Sequence, residues 1–244
     1  MKKIFLISLV SMLLFTGCAF FQSKAQKSVE ELVNDGMEDF EDGKYRNAIK
    51  SFETLKDWYP FSKYAILAEL KIGDSYYHLK EYEQAIFAYE EFENLHPRND
   101  AIPYVLYQIG RSYFDQMDTV DRDQSSTRKA LETFDRLIKT FPENEYARKA
   151  KAHQTQCYKI LAGHDLYVGM FYYKNKHYKA ALNRFKSVLY NYPDVGVHQF
   201  ALMLLPECET SIKNIGEKKD DDKREDTSES TYKKFLNFWK NIFT

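Results

Sequence analysis

Residues 73–97 read GDSYYHLKEYEQAIFAYEEFENLHP, and the order of small, bulky and terminating residues in this stretch decides the fold. Gly73 and Ala85 are small and stand twelve residues apart, where two antiparallel helices joined by a short turn can cross closely. Tyr76, Tyr82, Tyr89 and Phe92 supply the bulk that fills the space beside such a crossing. Pro97 ends the second helix, since it has no amide to donate and its ring clashes with the preceding turn. Slid 37 residues upstream, the same template meets Gly36, Ala48, Phe52, Leu55 and Pro60 without a gap. Downstream it meets Gly110 and then, after eight extra residues, Ala130, Phe134, Leu137 and Pro142. A further copy has Gly169, Tyr172, Tyr178, Ala181, Phe185, Val188 and Pro193.

Any amphipathic helical pair places Ala and Phe at such intervals, but four copies in register with a closing proline are the mark of a repeat array. The spacing resembles the tetratricopeptide repeat. That resemblance implies an all-α chain, an α-solenoid of about five tetratricopeptide-like helical hairpins, each packing on its neighbours. Composition agrees: 44% of the 244 residues are hydrophobic, 19 are Tyr and 18 Phe, and only nine are Gly and six Pro. The formal net charge of −1 offers no basic field for nucleic acid.

The N-terminus reads as an address. Lys2 and Lys3 precede an apolar run from Ile4 to Phe15 that ends in Thr16-Gly17-Cys18. This is a secretory signal, and the run is too short for a lasting span of a bilayer about 30 Å thick. It resembles a bacterial lipoprotein signal, which implies acylation of Cys18 as the mature N-terminus, with Phe15 departing from the usual Leu. Ala19 after the cysteine favours the outer membrane by the family rule. The expected organisation is a signal peptide over 1–17, a tether over 18–28, the solenoid over 29–214, a charged linker over 215–230 and an amphipathic C-terminal segment over 231–244.

Within the solenoid the first helix is expected from Val29, with a turn at Asp42-Gly43-Lys44 and a return over Tyr45 to Tyr59. Asp115 to Arg128 reads as a polar insertion, with Ser125, Ser126 or Thr127 as a helix cap. Fourteen additional residues between Pro142 and Gly169 are nearly four helical turns, which predicts one long helix from about Tyr146 to Tyr173. Gly163-His164-Asp165 as a break between two helices is the alternative. The array closes with a helix kinked or restarted at Pro206. Phe235, Leu236, Phe238, Trp239, Ile242 and Phe243 fall on one face of the last segment, which either caps the array or docks on lipid or a partner. Cys157 and Cys208 are expected as buried free thiols, a disulfide being the alternative.

Catalytic chemistry finds no foothold. No two of the six histidines pair at i, i+4 with a third ligand, no Cys-x-x-Cys occurs, and there is neither a phosphate-cradling glycine loop nor a Gly-x-Ser-x-Gly elbow. Asp121 and Asp123, split by Arg122, read as a salt-linked turn rather than a general-acid pair. No enzyme, metal or cofactor is expected.

Four landmarks sharpen the resemblance: Tyr59-Pro60-Phe61-Ser62-Lys63-Tyr64-Ala65; the run from Pro103 to Gly110; Asp121-Arg122-Asp123; and Ala181-Leu182-Asn183-Arg184-Phe185. Together with the lipoprotein signal they resemble the BamD (ComL/YfiO) family of outer-membrane assembly lipoproteins, over Val29 to about Asn214. Ser62 stands where that family usually has Gly, and the charged linker with its aromatic tail is a further departure. The resemblance implies a lipid-anchored scaffold on the periplasmic face of the outer membrane. Its implied partners are a BamA-like barrel protein bound through POTRA domains, other lipoproteins of the β-barrel assembly (BAM) complex, and unfolded outer-membrane proteins. Another periplasmic repeat lipoprotein, scaffolding cell-division or peptidoglycan-remodelling proteins, is the alternative. Arg184 and Asn183 match the motif near the BamA-docking surface, with a solvent-facing arginine as the plain alternative; Asp121, Arg122 and Asp123 are loop candidates. On a tetratricopeptide-like concave side, Met37 and Phe40, then Leu70, Asp74 and Tyr77, then Tyr104, Tyr107, Arg111 and Phe114 form one stripe at steps of three and four. They make a client-binding groove for an aromatic peptide ending in a carboxylate, unless they are packed core.

Overall fold

The computed structural model describes residues 26–217 and 227–243. Among them the chain forms ten helices: α1 (Val29–Glu41), α2 (Tyr45–Trp58), α3 (Ala65–His78), α4 (Tyr82–Leu95), α5 (Ile102–Phe114), α6 (Ser125–Thr140), α7 (Glu145–Lys174), α8 (Tyr178–Asn191), α9 (His198–Glu217) and α10 (Thr227–Phe243). Each of α1 to α8 packs on the next in sequence, α5 reaches on to α7, and α10 returns to α7. The result is a succession of helical hairpins, an α-solenoid. The signal peptide and Cys18 lie outside the described residues.

The glycines explain the crossings. A methyl group on Gly36, Gly73, Gly110 or Gly169 would lie 2.5–2.7 Å from the ring of Phe52, Tyr89, Phe134 or Phe185 respectively, all fully buried. The helices of each hairpin thus close on an aromatic ring in the space a Cβ would fill. Ser28 starts α1 with a capping box, its Oγ accepting from Glu31 N–H and its own N–H donating to the Glu31 carboxylate. The hairpin turns at Gly43, Lys80 and Lys176 share a left-handed residue, with φ of 74°, 60° and 61°. The residue after each donates its N–H to the carbonyl five positions back, which satisfies the end of the preceding helix.

Three buried clusters follow one another along the array. The first joins α1 to α3, the second runs from α4 through α5 and α6 into α7, and the third takes the rest of α7 with α8, α9 and α10. α7 is a single helix of 30 residues, so Gly163-His164-Asp165 does not break it. The insertion is shorter than expected, since α6 already begins at Ser125. None of Ser125, Ser126 and Thr127 is the cap: Gln124 holds the cap position, the Asp123 carboxylate accepts from Ser125 N–H at 2.8 Å, and Thr127 Oγ1 donates to buried Gln124. α9 runs on through Pro206 as one helix to Glu217, and α10 starts at Thr227, so the expected linker over 215–230 gives up both ends to helix.

Of the two readings of the last segment, the cap is the one adopted. Phe235 is buried beside Phe200, Phe238 stacks on Phe200 at 4.7 Å, and Trp239 lies 5.8 Å from Tyr167. Thr231 and Tyr173 both donate to the Glu207 carboxylate. Cys157 and Cys208 are free and buried, and burial pushes both thiols up to about 12. No helix among the described residues is long and apolar enough to cross a membrane.

Candidate functional site

The stripe expected on the concave side is held by the first helices of hairpins two and three. Tyr104, Tyr107, Arg111 and Phe114 rise at steps of three and four on α5, and Asp74 and Tyr77 face them from α3. All but Asp74 are half-buried, packing their inner edges on the second core cluster while the outer edges remain open.

Arg111 is the centre of this surface. Its Nη2 donates to the Tyr77 hydroxyl at 2.9 Å and reaches Asp115 at 3.3 Å, while Nη1 lies 3.4 Å from the Tyr107 hydroxyl. The guanidinium carbon stands 6.0 Å from the ring centroids of both Tyr77 and Tyr107. Tyr77 in turn donates to Asp115 at 2.5 Å. The Arg111 Nε is buried and has no hydrogen-bond partner among the described residues, so one donor of the fork is unspent.

A third wall comes from α7, and the sequence reading did not name it. His153 stacks on Phe134 at 5.5 Å, packs edge-on to Phe114 at 4.6 Å, and places Nε2 3.2 Å from the Tyr107 hydroxyl. Tyr146, seven residues earlier on the same face, touches Tyr104 and Tyr107. That seven-residue spacing was the available signal, together with Asp115 at i+4 from Arg111.

Burial, and then the charge of Arg111, hold the His153 imidazole below its ordinary value of 6.5, with Asp115 opposing. The ring Nε2 and the Tyr107 hydroxyl share a hydrogen bond of 3.2 Å. Because the folded value is the lower one, the unfolded chain takes up the proton first. Stability from this site is therefore present above pH 6.5 and is lost as pH falls from there to the folded value. Melting followed between pH 8 and 5 is expected to show a steeper fall for the wild type than for His153→Phe, which has no proton to take up.

Asp74 is not an open groove residue. It is 6% exposed, and its carboxylate is occupied by Tyr89 at 2.7 Å, Tyr104 at 2.5 Å and Lys71 at 2.9 Å. The cause is the tyrosine at position 89, where the other repeats have Phe52, Phe134 and Phe185: its buried hydroxyl requires an acceptor. Burial first, then Asp74, push the Tyr89 phenol well above its ordinary value. Met37, Phe40 and Leu70 pack partly into the clusters beside this network rather than against Arg111. Lys71 links the two parts, lying 4.3 Å over the Phe40 ring.

The remaining candidates lie elsewhere. Arg184 and Asn183 are exposed on α8, and Arg184 donates to buried Asp165 at 2.8 Å, which also accepts from Ser187 and Tyr192. Arg184 is thus more than a solvent-facing arginine. In the insertion Asp121, Arg122 and Asp123 point outward; Thr119 donates to Asp121 at 2.5 Å and Arg122 pairs with Asp118 at 3.5 Å. The loop beneath them is pinned to α7, with Val120 buried and its carbonyl 2.6 Å from His164 Nδ1. Among the described residues no group of three His, Cys, Asp or Glu is placed to hold a metal.

With this geometry in hand, the chain can be set beside known proteins. The family model described as YfiO, outer membrane lipoprotein, matches residues 25–226. A protein of Neisseria gonorrhoeae named outer membrane protein assembly factor BamD is 30% identical over 223 residues, covering 84% of this chain and 83% of its own length. Its namesake in Rickettsia prowazekii is 31% identical over 194 residues, 77% of each chain. That of Pasteurella multocida is 27% identical over 220 residues, 85% of each.

Proposed function

Because the chain belongs to the YfiO family of outer membrane lipoproteins, we propose that it is an outer membrane protein assembly factor: a scaffold, not a catalyst, anchored through Cys18 to the periplasmic face of the outer membrane. Its concave face receives unfolded barrel proteins and its α8 face meets a BamA-like partner. The observation that carries this reading is the half-buried Arg111, held by the Tyr77 and Tyr107 hydroxyls at 2.9 and 3.4 Å in a row of partly open aromatic rings. A peptide whose last residues are aromatic and whose end is a carboxylate fits both features, since the open ring edges pack against aromatic side chains and the planar guanidinium donates to the terminal oxygens.

The test is titration of a labelled peptide of that kind against wild type, Tyr107→Ala, Phe114→Ala and Arg111→Glu, with folding followed by circular dichroism. Arg111→Glu is expected to weaken binding at least about tenfold, a loss of roughly 1.4 kcal/mol or more. Equal binding by all four proteins would show that these residues serve packing alone.

The α8 face has its own expectation. Asn183→Tyr adds bulk at an exposed position and is expected to abolish capture of the BamA-like partner with melting unchanged. Arg184→Gln is expected to lower capture and melting together, because it takes the cation from Asp165. Capture from detergent-solubilised outer membranes, read by mass spectrometry, decides both.

A further inference from the structure

The four closing prolines each lead a turn, and the residue after the proline sits at its tip. In three repeats that residue is charged: Arg98, Glu143 and Asp194. In the first it is Phe61, which is 102% exposed, with Trp58 beside it 48% exposed. The turn is rigid. Ser62 N–H donates to the Tyr59 carbonyl at 3.0 Å, its Oγ accepts from Tyr64 N–H at 3.2 Å, and its carbonyl accepts from Ala65 N–H at 3.0 Å. With Pro60 fixing φ, the aromatic ring is held out into solvent without any packing reason to be there. A shallow cleft of about 440 Å³ lies between this turn and the start of α1, where Val29 and Tyr64 join its lining.

The place of this turn in the chain supplies its occupant. The Tyr59 hydroxyl donates to the Lys27 carbonyl at 2.9 Å, so the chain leaving the solenoid toward its N-terminus passes directly over the turn. Cys18 is nine residues before Lys27, a reach of at most about 32 Å at 3.6 Å per residue. A lipid on Cys18 therefore keeps Phe61 and Trp58 within reach of the bilayer at all times, while the three charged tips belong to later repeats.

We propose that the Tyr59–Tyr64 turn is a membrane foot, whose exposed Phe61 and Trp58 enter the headgroup layer of the phospholipid surface that holds the anchor. The inference rests on the anchor at Cys18 proposed above. Aromatic side chains of this kind settle at the water–hydrocarbon boundary. Lys63, exposed and lying 4.8 Å over the Tyr64 ring, stands beside them at the level of the phosphates. A tethered scaffold with such a foot has a set tilt on the membrane rather than swinging about its leash.

The experiment uses the full lipidated protein in vesicles of phosphatidylethanolamine and phosphatidylglycerol carrying brominated acyl chains. The chain has two tryptophans, so Trp239→Phe leaves Trp58 as the reporter. Trp58 emission is expected to be quenched, and Phe61→Glu, which copies the tip at Glu143, is expected to reduce that quenching at least twofold with melting unchanged. Protein that floats with the vesicles yet shows no quenching overturns the foot and leaves the anchor standing. Protein that does not float overturns both. If Trp58 is unquenched while Phe61→Glu loses the aromatic client peptide, the tip binds protein instead and the membrane proposal fails.

Discussion

Asp74→Met is expected to lower folding stability by about 2–4 kcal/mol, and adding Tyr89→Phe is expected to return most of that loss. Alone, the substitution removes the acceptor from the fully buried Tyr89 hydroxyl and from the Tyr104 hydroxyl at the half-buried edge of the network, and with it the anion beside Lys71. An unpaired hydroxyl in the interior costs its whole desolvation, about 1–3 kcal/mol, whereas taking away both partners is close to neutral. The repeats supply the control: Met37 with Phe52 and Met170 with Phe185 hold the same two positions with no polar group. Urea unfolding of the two single variants and the double completes the cycle. Additive losses would mean that the hydroxyl does not depend on Asp74.

Gly110→Ala is expected to cost about 3 kcal/mol, the upper end for overpacking a closed site. Its methyl group would lie 2.5 Å from the Phe134 ring, and that ring cannot retreat because His153 stacks on its far side and Tyr107 and Phe114 border it. Those three are groove residues. Thermal melting should therefore fall and affinity for the aromatic peptide should fall with it, and Phe134→Leu added to Gly110→Ala should restore part of the melting temperature. A variant with unchanged melting would show that the helices can part at this crossing without loss.

The repeat logic was readable because it is local. Gly73 to Pro97 contains the end of one helix, the turn, the whole of the next helix and the ring that separates them, so spacing alone places Tyr89 against Gly73. The 30-residue α7 followed in the same way from helical arithmetic. The groove was readable only in part. Counting from the glycines found Tyr77, Tyr107, Arg111 and Phe114, which share two neighbouring first helices. It missed His153 and Tyr146: their seven-residue spacing puts them on one face of α7, but which neighbour that face meets depends on how α7 lies across α5 after the eight-residue insertion. Asp74 was placed on the right face but taken as open, because its burial is decided by the hydroxyl of Tyr89, fifteen residues away. That exposed Arg184 also pairs within the fold was hidden for a similar reason: Asp165, its partner, lies on the other helix of the hairpin.

α7 bears on how the molecule comes apart. In an array of separate hairpins each unit can fray from an end while its neighbours persist. Here one helix supplies Ala147, Ala150 and Cys157 to the middle cluster and Leu166, Met170 and Tyr173 to the last. Losing it dissolves both at once. The helices from α4 to α9, sealed at the far side by α10, thus form a single cooperative block, and α1 to α3, with a cluster of their own, are the part able to open alone. The soft end of the protein is then the end nearest the tether, and the groove straddles the border between soft and firm.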